Sequence, residues 1–312
     1  MKILIEDINE VESRPEKHSL MVDPYNDNNL IYSNGTVIYT IDVTTYDMKT
    51  LFGDESESET NDSSYAYLPF QLISDLAPGP DDSSNIWVSD YELGCIFSVN
   101  LESIEIEEEL GNCTGYNSNL FQIHSLAKDP NTASVYYAYV ESDQQIKRLY
   151  VNETNATLGL DDEFSQNNLD SFWIDLVFDP LGKRIYFLLT NNSITWWEPG
   201  TSQSGMYEET QISDTNGLTR RYAGPLTFVN ETLIVTADLV NGAVIVYDLN
   251  SNTVSSRCLD TSPNTEELIE CIEEPSAIAV HPTDSNIIFI TGVHLYALSL
   301  TGRSYTHYVV AY

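Results

Sequence analysis

Cations are scarce in this chain. Thirteen lysines and arginines stand against 48 aspartates and glutamates, a formal net charge of -35 over 312 residues. A protein that grips a nucleic-acid backbone must present cations to displace condensed counterions, so this composition argues against nucleic acid as a partner. Adhesion to an anionic membrane is disfavoured for the same reason. An apolar run of about 18 residues, long enough to cross a bilayer as a helix, is also missing, and no membrane insertion is expected. The opening Met1-Lys-Ile-Leu-Ile-Glu-Asp7 lacks the long apolar segment of a secretory leader. The chain contains no Gly-x-Ser-x-Gly elbow, no phosphate-cradling glycine loop and no dinucleotide fingerprint, so no motif names an enzyme class. Apolar residues at helical spacing are absent too, which argues against α/β folds.

What the chain does have is a core-forming composition, 42% hydrophobic and 11% aromatic, and a recurring strand pattern. Its clearest copy is Asn85-Ile-Trp-Val-Ser-Asp90, then Tyr-Glu-Leu-Gly, then Cys95-Ile-Phe-Ser-Val-Asn-Leu101. Two runs of β-forming residues joined by a short link containing glycine predict a hairpin. The pattern returns at Asn29-Leu-Ile-Tyr32, Val135-Tyr-Tyr-Ala-Tyr-Val140, Arg184-Ile-Tyr-Phe-Leu-Leu189, Leu233-Ile-Val-Thr236 and Ile287-Ile-Phe-Ile290. Each copy follows an apolar run that ends near Asp23, Pro78, Asp129, Asp179, Val229 or His281, a period of about 50 residues. Each unit closes on a weaker strand that alternates apolar and polar residues, such as Ile104-Glu-Ile-Glu-Glu108, as a half-exposed outer strand should.

Six such units predict an all-β chain, a single six-bladed β-propeller of four-stranded antiparallel blades. The expected blades cover about 18–52, 69–111, 123–157, 172–205, 224–258 and 275–312, in one domain spanning 1–312. Residues 1–10 are expected as a closing strand, with the two chain ends meeting to complete the ring. The units resemble known repeats. Ile86-Trp-Val-Ser-Asp90, followed by Ile96 and Leu101, looks like a degenerate YWTD repeat of the low-density-lipoprotein-receptor class B kind. Ile31-Tyr-Ser-Asn34 and Ile185-Tyr-Phe-Leu188 match more loosely, and the phase is similar to that of NHL-repeat propellers. The resemblance implies the propeller fold and leaves the role open, because such propellers differ widely in function.

Four cysteines fit this plan. Cys95 begins a third strand and Cys113 follows the fourth, while Cys258 and Cys271 flank the link between the fifth and sixth blades. Two sequence-local disulfides, Cys95–Cys113 and Cys258–Cys271, are expected, and with them an oxidising compartment. Asn-x-Ser/Thr acceptor motifs stand at Asn34, Asn61, Asn112, Asn152, Asn155, Asn191 and Asn230, mostly in predicted turns or loops. Together these features give an extracellular reading, a secreted glycoprotein whose signal peptide has been removed.

The functional candidates lie on loops and at the inner strands. The connections at 53–62, 160–163, 208–209 and 266–274 are acidic and are expected on one face of the propeller. Beside them, Tyr91, Glu92, Tyr65, Tyr67 and Trp173 are candidate ligand-binding residues, since aromatic rings next to acids suit cation recognition. The plainer reading is a solvated acidic rim with rings that fill gaps between blades. His18 and His124 occupy matching places, each opening a His-Ser-Leu run, and Asp75 and Asp175 lie on other inner strands. Converging on a central channel, these four could hold a divalent metal, the one cofactor the sequence suggests. The leading expectation is a binding protein for a protein, peptide or small cationic ligand. The alternatives are a metal-dependent hydrolase or lyase and a small-ligand carrier.

Overall fold

The computed structural model describes residues 18–53, 70–79, 84–110, 113, 122–132, 134–152, 157–164, 175–188, 194–201, 203–207, 225–237, 242–257, 272, 275–291, 295–300 and 308–310. Among them the chain forms 24 strands and a single 3-10 turn. The strands assemble into six four-stranded sheets, each in simple chain order, and every pairing within them is antiparallel. This is the blade pattern of a six-bladed β-propeller, and the sheets are called blades below.

The chain divides into two compact units. Lys17–Gln166 carries the first three blades. The first holds β1 (Ser19–Val22), β2 (Asn29–Ser33), β3 (Ile38–Asp42) and β4 (Met48–Phe52). The second holds β5 (Ile73–Pro78), β6 (Asn85–Asp90), β7 (Cys95–Asn100) and β8 (Glu105–Leu110). The third holds β9 (Ile123–Lys128), β10 (Val135–Val140), β11 (Gln145–Asn152) and β12 (Thr157–Phe164).

The other unit carries the remaining three blades. They are β13 (Leu176–Phe178) to β16 (Gln203–Tyr207), β17 (Leu226–Phe228) to β20 (Thr253–Arg257), and β21 (Ala277–Val280) to β24 (Tyr308–Val310).

The hairpin expected at 85–101 forms as read. Asn85 faces Asn100 and Asp90 faces Cys95 at the ends of the β6–β7 ladder. All six residues of β6 are buried, as befits a strand covered on both faces. The outer strand β4 leaves Lys49 and Thr50 exposed. Apolar packing between blades supplies the core. Trp87 stacks on Tyr136 of the next blade at 5.1 Å between centroids, with Ala77, Ile96, Leu126 and Val140 around them. Phe70 meets Phe97 edge-on, within a cluster that also takes in Ile31 and Ile38 of the first blade.

In the second unit, Gly205 faces Trp196 across the ladder, and a Cβ there would come within 2.6 Å of the indole. Glycine therefore lets this ring lie on the neighbouring backbone. The Arg184 guanidinium sits 3.9 Å from the same ring and 3.7 Å from the Glu198 carboxylate.

The Cys95–Cys113 disulfide is present, with Cα atoms 5.1 Å apart. Cys258 and Cys271 lie outside the described residues, as does the closing strand expected over 1–10. One connection differs from expectation. Residues 160–163 are not a loop but part of β12, which carries the third blade to Phe164 instead of 157. Alternating Leu158 and Leu160 suit a strand, and the register sets Arg148 opposite Asp161 and Lys147 opposite Asp162.

Several third-to-fourth hairpins turn through a residue of positive φ: Tyr46, Ile104, Gly200 and Asn252. Ile104 is β-branched, has φ 55° and is 49% exposed. That conformation is unfavourable for such a side chain.

Candidate functional site

The described chemistry of the first unit gathers at two places, both built on the second blade. The first is Asp75, on the inner strand β5. Its Oδ1 accepts from the Ser19 hydroxyl at 2.8 Å and from the Leu76 N–H at 2.9 Å. Its Oδ2 accepts from the Ser125 hydroxyl and the Leu126 N–H, each at 2.8 Å. One carboxylate thus ties together the inner strands of three successive blades, β1, β5 and β9. The matched His-Ser-Leu runs explain the symmetry, since their serines reach Asp75 from either side. The motif recurs in the other unit, where Asp175 accepts from the Leu226 N–H on the following inner strand at 2.9 Å.

The second place is the edge where β6 turns into β7. Asp90 is fully buried there. Its Oδ1 accepts from the N–H groups of Glu92 and Leu93, and its Oδ2 from those of Gln71 and Leu72. Burial raises the carboxyl pKa above its ordinary value, against the downward pull of those four donors. Around it the backbone is laced across blades. The Tyr91 N–H donates to Leu72 O, Gln122 N–H to Tyr91 O, and Glu141 N–H to Gln122 O. Side chains repeat the connection. The Tyr91 hydroxyl donates to Glu141 Oε2 at 2.8 Å, and the same oxygen lies 2.6 Å from His124 Nε2. The His124 ring packs between Tyr91 and Tyr139. The result is a buried, hydrogen-bonded seam with the exposed Glu92 beside it.

These placements bear directly on the residues singled out in the sequence. Tyr91 lies at the expected turn, but it is buried and its hydroxyl is committed to Glu141. Glu92 is exposed beside it. Tyr65, Tyr67 and Trp173 lie outside the described residues, as do the acidic stretches 54–62, 208–209, 266–271 and 273–274.

His18 Nδ1 is 3.2 Å from the Tyr32 hydroxyl, and burial of the ring lowers its pKa to about 4, so the imidazole is neutral at neutral pH. Its counterpart His124 is engaged by Glu141. Asp75 is brought to serines and backbone N–H groups, not to the histidines. Among the described residues no three His, Cys, Asp or Glu side chains are placed to share a metal ion. The sequence reading missed Glu141, Asp90, Ser19 and Ser125. The repeated His-Ser-Leu did hold a signal, in the serine rather than the histidine.

Of the expected glycan acceptors, Asn34 and Asn230 have described surroundings, Asn152 ends β11, and Asn61, Asn112, Asn155 and Asn191 lie outside the described residues. No helix among the described residues is long and apolar enough to cross a membrane.

No family model and no curated protein matches the sequence. Solved structures do match the fold. An auxiliary nutrient binding protein from Bacteroides thetaiotaomicron is similar over 88% of this chain and 66% of its own, with a TM-score of 0.59 and 12% identity. The Cps50 (Swd1) β-propeller domain of Myceliophteria thermophila is similar over 94% of this chain and 100% of its own, with a TM-score of 0.55 and 8% identity. Hydrazine synthase of Kuenenia stuttgartiensis is similar over 90% and 82%, with a TM-score of 0.55 and 10% identity. At these identities the likeness establishes the fold and leaves the YWTD and NHL assignments as resemblances.

Proposed function

We propose that this chain is a secreted binding protein that takes a cationic peptide, or a basic segment of a protein, on the loop side of its blades. The observation that carries the reading is charge: 48 acidic residues against 13 basic ones, concentrated in stretches such as 54–62 and 266–274 between blades. Such a surface steers cations towards it and repels anions. Support comes from the hydrogen-bonded edge at the β6–β7 turn, where Tyr91, Gln122 and Glu141 link the second and third blades. The internal acids Asp75 and Asp90 are committed to structural donors, which leaves exposed acids such as Glu92 for a ligand. The Cys95–Cys113 disulfide is consistent with an oxidising compartment. A protein of the same fold is a nutrient binding protein, which fits a binding role in general.

The test uses a fluorescent arginine-rich peptide and the full chain. Affinity should fall steeply as salt is raised, because exposed charges are screened. Neutralising Asp54, Glu55, Glu57 and Glu59 should weaken binding more than neutralising Glu105, Glu107, Glu108 and Glu109 on the outer strand β8. Equal losses from the two sets would mean that bulk charge alone attracts the peptide, and the proposed face would be abandoned.

A further inference from the structure

Two acceptor motifs with described surroundings differ in what a glycan would meet, and the difference rests on the secretion reading above for its meaning. Asn34 is half-buried in the β2–β3 turn. Its Nδ2 donates to the Tyr39 hydroxyl at 3.3 Å, and its Oδ1 accepts from the Val37 N–H at 3.1 Å. The next residue, Gly35, has φ 106° and its carbonyl accepts from Ile73 N–H of the second blade. A Cβ added at Gly35 would already touch Leu72 at 3.4 Å. A sugar on Asn34 would have to break the amide's bond to Tyr39 in a half-buried turn whose backbone is tied to the second blade.

Asn230 is the opposite case. It is exposed in the turn between β17 and β18, followed by exposed Glu231 and then Thr232. Its carbonyl oxygen is turned inward. It accepts from the Thr232 N–H at 2.9 Å, the Thr232 hydroxyl at 3.2 Å and the Leu233 N–H at 3.0 Å. These bonds use Oδ1 alone, so the turn can keep every one of them while Nδ2 of this exposed residue carries a substituent.

We propose that Asn230 is an N-linked glycan acceptor and that Asn34 is not, despite the same sequence motif. The donor class is a lipid-linked oligosaccharide diphosphate. Nδ2 forms a bond to the anomeric carbon and gives up one proton to a base. The bond from that carbon to the diphosphate oxygen breaks, and the lipid diphosphate leaves with the electron pair.

The full chain is routed through a eukaryotic secretory pathway, folded material is collected, and glycans are released enzymatically in heavy-oxygen water. Peptide mapping should find the isotopic tag on Asn230 and not on Asn34. Asn230→Asp keeps the acceptor oxygen of the turn and should lower the glycoprotein mass by one glycan, whereas Asn34→Gln should leave the mass unchanged. An untagged Asn230 in folded, secreted chain would overturn the proposal, as would a fully tagged Asn34. Fractionation of the native source is a separate arm. A chain retained inside the native cell would sink the secretion reading, whatever the tags show.

Discussion

Two carboxylates of the second blade make the same number of hydrogen bonds and do different work. Asp75 takes two hydroxyls and two N–H groups, drawn from β1, β5 and β9. Asp90 takes four backbone N–H groups, all from its own blade, and is the more deeply buried. One holds blades together; the other gives a single blade its turn. A polymer with six similar sheets needs both kinds of bond, because apolar packing alone fixes neither the spacing of inner strands nor the path of a buried turn. The difference also predicts how each fails. Loss of Asp90 takes the acceptor from four backbone donors at once, against two at Asp75. Loss of Asp75 frees two serines that can turn elsewhere.

The largest expected effect is therefore at Asp90. Asp90→Ala should cost at least about 3 kcal/mol in urea unfolding, since four backbone N–H groups lose a charged acceptor that is itself buried. A loss smaller than that at Asp75 would reverse the ranking drawn here. Replacing Cys95 and Cys113 together by serine should cost about 3 kcal/mol, the scale for a crosslink across a sequence separation of 18 residues. Asp75→Asn should cost about 2 kcal/mol, with Ser19→Ala and Ser125→Ala about 1 kcal/mol each. Because asparagine keeps a single acceptor oxygen, one of the two serine changes should become silent in the Asp75→Asn background. A double-mutant cycle reads this directly, and two unchanged penalties would show that the serines do not share the carboxylate. Tyr91→Phe should cost about 1 kcal/mol by removing the hydroxyl on Glu141.

The remaining predictions concern pH dependence, where the signs are opposed. His18 is lowered to about 4 in the folded chain, so the unfolded chain binds its proton first. Its contribution is complete above about 6.5 and is lost as pH falls towards 4, with a slope of at most about 1.4 kcal/mol per pH unit. His18→Gln should flatten that limb of the stability profile. Asp90 is raised, so its contribution is present at low pH and declines as pH rises through the raised value. Asp90→Asn should remove a decline with rising pH, and an unchanged profile would contradict the raised pKa.

The sequence carried the blades well because strand periodicity is a local property. Six repeats, the 85–101 hairpin and the Cys95–Cys113 pair could each be read from neighbours along the chain. The acids at 160–163 read locally as loop residues, and the strand they belong to becomes visible only once β11 and β12 are paired. The site chemistry was harder still. His18 and His124 drew attention as potential ligands, yet the shared feature that matters is the serine after each, and its acceptor lies about 50 residues away. Asp90 read as an ordinary turn residue. Nothing in its local sequence announces the four donors it collects.

The tip at Ile104 has a practical consequence. A β-branched residue held in left-handed backbone, with its side chain turned to water, gives the blade nothing that a glycine or asparagine would not. Its neighbours Glu102 and Ser103 are exposed too. The hairpin can thus be opened without disturbing Trp87 or the seam below. For circular permutation, reporter insertion or tethering to a surface, this is the natural place to cut the chain and make new ends.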